Sequence, residues 1–113
     1  MISRLKKIEH LGIAVKNIAE SNDLYANLLG VNPYKEEEVE SEKVLTSFFK
    51  IGESKIELLQ GLDDNSPITK FIEKRGEGIH HVAFEVDDIY AEMARLKAEG
   101  FILLNDQPKR GAD

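Results

Sequence analysis

Gly78-Ile79-His80-His81-Val82-Ala83-Phe84-Glu85-Val86-Asp87-Asp88-Ile89 is the stretch on which the fold turns. From Ile79 to Val86 the residues are mostly β-branched, apolar or aromatic, which is strand composition, and a helix is expected to start near Asp87 or Asp88. Side chains on a strand alternate between faces. His80, Val82, Phe84 and Val86 are therefore expected on one bulky face that packs on a helix. His81, Ala83 and Glu85 fall on the other, where a small residue beside the histidine leaves room above the sheet. His81 is a candidate ligand, and His80 a core or supporting group.

The same division occurs near the start of the chain. In Ile8-Glu9-His10-Leu11-Gly12-Ile13-Ala14-Val15, the bulky Leu11, Ile13 and Val15 share a face with Glu9, and His10 shares the other with Gly12 and Ala14. A helix follows. Asn17 can cap it with Glu20 three residues on, Ile18, Tyr25, Leu28 and Leu29 are read as its apolar stripe, and Gly30 ends it. An offset of 71 residues places His10 on His81. It also places Ile8 on Ile79, Val15 on Val86, Asn17 on Asp88 and Ile18 on Ile89, and one deletion brings Gly30 onto Gly100. Two copies of one β-α-β unit account for this recurrence.

Between the copies, Lys35 to Lys43 is an acidic solvated loop or edge strand. Val44 to Ile51 and Lys55 to Gln60 read as a hairpin turning at Gly52-Glu53-Ser54. Ser66-Pro67 opens a short helix, with Ser66 as cap and Pro67 at its first position. After the second long helix, with Ile89, Met93 and Leu96 on its stripe, Phe101 to Leu104 is expected as a short strand. The chain thus reads as one α+β domain: a first module over about 5–62, a linking helix over 66–75, and a second module over about 78–113. The second is expected to lack its last hairpin, because the counterpart of Gln60 would fall near position 131.

The composition excludes several classes. The 113 residues carry a net charge of −6 and no cysteine. Disulfides, thiolate metal sites and thiol nucleophiles are excluded, and the charge opposes non-specific nucleic-acid binding. There is no apolar run long enough to span a bilayer and no leader-like h-region, so no membrane partner and a cytoplasmic location are expected.

His10 and His81 begin equivalent strands on equivalent faces, and Glu57 is a carboxylate within an apolar run, costly to bury unless paired or metal-bound. Two imidazoles and a carboxylate suit a divalent first-row ion. A strand histidine is more often a polar residue satisfied by its neighbours, and Glu57 could equally lie on an exposed edge. The repeat favours the metal reading for the two histidines together. It also places a counterpart of Glu57 near position 128, so a further Glu is expected beyond Asp113.

These motifs resemble those of the vicinal oxygen chelate, or glyoxalase-like, superfamily, and within it the methylmalonyl-CoA epimerases. The Ser66-Pro67 helix leading into the double-histidine strand is the more specific part. The resemblance implies paired βαβββ modules curled round a metal cavity, with His10, Glu57 and His81 as ligands to Co, Ni, Mn or Zn. It implies a fourth Glu ligand on a last strand, which also serves proton transfer, so the catalytic residue is not assigned within these 113 residues. Some relatives carry an acid–base Glu where Thr46 stands. Thr46 cannot act as a carboxylate base and is retained as a substrate-binding residue with Lys109 and Arg110, which would face coenzyme A phosphates. The implied reaction is inversion at C2 of an acyl-CoA, methylmalonyl-CoA, by proton abstraction through an enolate, in a homodimer. The alternatives are a glyoxalase I-type lactoylglutathione lyase and a metal-free small-molecule binding module.

Overall fold

Asn17 and Gly30 bracket the first helix in the computed structural model, which describes residues 5–109. Asn17 Oδ1 accepts the Glu20 N–H at 3.0 Å, and Gly30 takes the left-handed φ of 74° that ends the helix without steric cost. This helix, α1 (Ile18–Leu29), follows β1 (Leu5–Ala14) and precedes β2 (Lys35–Val39), a 3-10 turn (Glu40–Glu42), β3 (Val44–Ile51) and β4 (Ser54–Gly61). Ser66 caps α2 (Pro67–Arg75) through its side-chain oxygen, which accepts the Ile68 N–H at 3.2 Å. Then come β5 (Gly78–Val86) and α3 (Ile89–Ala98), the latter capped by Asp88.

The strands form one sheet in the order β2-β3-β4-β1-β5. β1 runs parallel to β4, closing a βαβββ unit, and antiparallel to β5. The β1–β5 register carries the sequence repeat into space. Leu11 lies opposite Val82, its own equivalent. On either side, His10 pairs with Ala83 and Gly12 with His81, and farther out Ile8 pairs with Phe84 and Ile13 with Ile79. Each pair maps onto the other under the 71-residue offset, so a local twofold passes between Leu11 and Val82. The register slips at three places, between Leu5 and Lys7 and at two sites related by the twofold. β1 has an extra residue, Glu9, between the Ile8 and His10 pairs; β5 has an extra residue, His80, between the Ile79 and His81 pairs. Such bulges re-aim side chains that strict alternation would send to the opposite face.

One face of the sheet packs on α1 through Val15, Ile18, Phe49 and Leu58, all buried. The other buries Ala14, Val44 and Leu59 against Ile68 of α2, with Phe71 and Ile72 beside them.

Four expectations need correction. β1 begins earlier than expected, because Leu5 and Lys7 pair with Val86 and Glu85. Leu28 is 71% exposed, since at 100° per residue it sits about 80° off the line through Ile18, Tyr25 and Leu29. Phe101 to Leu104 forms no strand: among the described residues no strand lies beside it, and a strand needs a partner for its backbone groups. The face with Val82 and Phe84 is not covered by α3, and Phe84 remains 49% exposed. The acidic segment is the edge strand β2 followed by the 3-10 turn, as one of its two readings had it.

Candidate metal centre

The local twofold brings the two histidines face to face. His10 Nε2 lies 3.0 Å from His81 Nε2, with the rings edge-on at 87°. Gly12 makes this possible. Directly across the strand pair from His81, it lets the imidazole lie flat over its backbone; a Cβ there would stand 2.2 Å from His81 Cε1. Along the same sheet row, Gly12 is flanked on its other side by Glu57, which is paired in turn with Phe48.

Glu57 is buried, at 4% exposure, and its Oε2 lies 3.3 Å from His10 Nδ1. Glu9 reaches the same nitrogen at 2.7 Å through Oε1, while its Oε2 meets Lys55 Nζ at 3.2 Å. Burial pushes the Glu9 carboxyl up, but the hydrogen bonds and charges of His10 and Lys55 outweigh it and hold the group below the usual carboxylate range. On the second strand, His80 Nδ1 lies 3.0 Å from His81 Nδ1, and the His80 ring packs edge-on against Phe71 at 4.9 Å. Burial, then the neighbouring His10 and His80, hold His81 below the ordinary imidazole range. A neutral imidazole is the form that ligates a metal.

His10, Glu57, His80 and His81 open on a cavity of about 570 Å³, within the range of small-molecule sites. Its walls include the apolar side chains of Val39, Val44, Leu59 and Ile68.

The donor set fits a divalent ion. The Nε2 atoms of His10 and His81 face each other at 3.0 Å, two imidazole donors of the type a divalent first-row ion takes. Glu9, His10 and Glu57 also each bring a ligand atom within 4.8 Å of the others. The three expected ligands do not converge on one point, however. Glu57 approaches the Nδ1 edge of His10 and His81 the Nε2 edge, so the His10 ring stands between them.

The expected substrate residues divide. Thr46 is buried in the cavity wall, and Lys109 lies at the cavity with its ammonium 2.8 Å from Glu42. Arg110 lies outside the described residues. Two participants escaped the sequence reading, Glu9 and Glu37. Glu9 was assigned to the face opposite His10; His80, read as a core or supporting group, was placed on the face opposite His81. Glu37, which lines the cavity from β2 directly across from Thr46, was counted only as part of an acidic segment. The 71-residue offset aligns Glu9 with His80 and was the available signal for that pair.

Comparison with known proteins identifies the family and the fold. Residues 9–113 match the family model of the Glyoxalase/Bleomycin resistance protein/Dioxygenase superfamily. The chain is 39% identical over 107 residues to the mitochondrial methylmalonyl-CoA epimerase of Dictyostelium discoideum, covering 94% of this chain and 64% of that one. It is 39% identical over 114 residues to the ethylmalonyl-CoA/methylmalonyl-CoA epimerase of Cereibacter sphaeroides, covering 99% and 83%. A Streptomyces coelicolor methylmalonyl-CoA epimerase variant, solved in complex with 2-nitronate-propionyl-CoA, superposes with a TM-score of 0.89 at 32% identity, over 96% of this chain and 81% of that one. Among the described residues, no helix is long and apolar enough to cross a membrane.

Proposed function

The chain belongs to the glyoxalase/bleomycin resistance protein/dioxygenase superfamily, and from that premise we propose that it is an epimerase inverting C2 of methylmalonyl-CoA. The observation that carries this reading is the pair of imidazoles meeting across Gly12 on the wall of a cavity that also holds a buried carboxylate.

The proton at C2 lies between a thioester and a carboxylate, and its removal leaves an enolate-like anion. Through their facing Nε2 atoms, His10 and His81 would hold a divalent ion, which when bound would supply Lewis acidity to the negative charge developing on the substrate oxygens. The other roles belong to the chain itself. Val44, Leu59 and Ile68 exclude water from the wall, which strengthens every electrostatic interaction inside. Thr46 offers a hydroxyl to a substrate oxygen. Lys109 presents positive charge to the coenzyme A phosphates. Inversion needs proton exchange on two faces of the carbon. Of the described carboxylates on the cavity wall, Glu57 faces His10 Nδ1 and Glu42 pairs with Lys109, while Glu37, held by Lys35 at 2.9 Å, lies directly across from Thr46. Glu37 would exchange the proton on its side.

The test is deuterium incorporation at C2 of methylmalonyl-CoA in heavy water by the metal-loaded protein. Exchange is expected, with loss on chelation and a slowing of about 100-fold in Glu37→Gln. Absence of exchange, with turnover of methylglyoxal and glutathione instead, would overturn the reading in favour of a lyase.

A further inference from the structure

The two bulges fall at equivalent positions, each one residue before a candidate ligand. Both turn a polar side chain toward the histidine that follows. Glu9 meets His10 at Nδ1, and His80 meets His81 at Nδ1. The two imidazoles are thereby engaged on the same ring atom, and their Nε2 atoms are left facing each other at 3.0 Å. We infer that Glu9 and His80 are matched positioning residues, each fixing the ring and the tautomer of its neighbour so that both histidines present Nε2 to the same point. The inference rests on the metal reading of the site and adds to it the groups that aim the ligands.

The hydrogen-bond polarity follows from what each group can do. Glu9, ion-paired to Lys55 at 3.2 Å, is a carboxylate and can only accept. His10 Nδ1 must therefore carry the proton, and in the neutral ring Nε2 holds the lone pair. In the metal-free chain, His81 donates Nε2–H to His10, which makes His81 Nδ1 the acceptor of His80 Nδ1–H. The four residues form a hydrogen-bonded series running from His80 to the Glu9 carboxylate. When an ion takes the two Nε2 atoms, His81 must move its proton to Nδ1, where it donates to His80. His80 then carries its own proton on Nε2, which its exposed position allows. No proton is gained or lost by the set, because two rings exchange tautomers. Lys55 holds Glu9 from outside the site, and Phe71 holds the His80 ring from α2.

The two supports differ in strength. Glu9 is charged and gives a charge-assisted hydrogen bond, whereas His80 gives a neutral one. Groups of this kind commonly change metal affinity by about 10–100-fold when removed. Cobalt affinity, measured by chelator competition, is expected to fall by about 100-fold in Glu9→Ala and by about 10-fold in His80→Ala. Glu9→Gln and His80→Asn keep an acceptor in place and are expected to recover most of the loss, which a merely structural role would not predict. They also keep the test decisive if an alanine variant fails to fold. The direct signature is nitrogen NMR of the zinc-loaded protein. His10 and His81 should both show metallated Nε2 and protonated Nδ1, and His80 should change from Nδ1–H to Nε2–H on loading. Affinities within twofold of wild type in both alanine variants, with both Nδ1–H signals retained, would overturn the inference and leave the metal reading intact. A wild-type chain that binds neither cobalt nor zinc would overturn both.

Discussion

The two halves of the chain start from one pattern and end in different surroundings. In the first, α1 lies on the sheet, and Phe49 and Leu58 are fully buried between helix and strands. In the second, β5 and α3 are equally well formed and capped, yet Phe84 is half exposed and Ile102 is 91% exposed. Local sequence is enough to write a strand, a cap and a helix. Burial needs strands on both sides, and in the described residues β5 has only β1 beside it, at the edge of the sheet. The functional groups sit where this difference matters least, on the β1–β5 seam that both halves share.

Substitutions in the two halves test this contrast. The largest effect is expected from Phe49→Ala, which should lower the unfolding free energy by about 3–5 kcal/mol in urea titrations. Its counterpart in contrast, Phe84→Ala, should cost less than about 1.5 kcal/mol, because half the ring is already in water. Equal costs would mean that the second half is as well packed as the first. Next is Gly12→Ala. The twofold equivalent of Gly12 is Ala83, so the two sites differ by one methyl group. At Gly12 that methyl would run into the His81 ring. We expect a destabilisation of about 1–3 kcal/mol together with displacement of His81, read as a loss of cobalt binding by at least tenfold, while Ala83→Gly leaves binding within threefold. The smallest effects are at the caps. Asn17→Ala should cost about 1 kcal/mol in thermal or urea unfolding. Asp88→Ala should lower the helical signal of α3 but register less in global unfolding, since α3 is weakly packed. A global cost at Asp88 as large as at Asn17 would count against the contrast.

Much of this was legible in the residues themselves. The caps at Asn17, Ser66 and Asp88, the terminating Gly30 and the β3–β4 hairpin all follow from local chemistry and period, whereas the burial of Glu57 is one of the two places its sequence allowed. The repeat identified His10 and His81 as a pair before any geometry was known. What could not be read was set by pairing between distant segments. Strict alternation put Glu9 and His80 on the wrong faces, because a bulge is a property of two strands in register and leaves no mark in one of them. Leu28 was placed on the apolar stripe by proximity in sequence, although the helical angle excludes it. Phe101 to Leu104 has strand composition but no described neighbour to pair with.

If the twofold seam delivers one imidazole from each half to a single ion, X-ray absorption at the cobalt edge of the loaded protein will show both. Two imidazole scatterers are expected in wild type and one in His10→Ala or His81→Ala; a wild-type spectrum with one imidazole or none would contradict the claim.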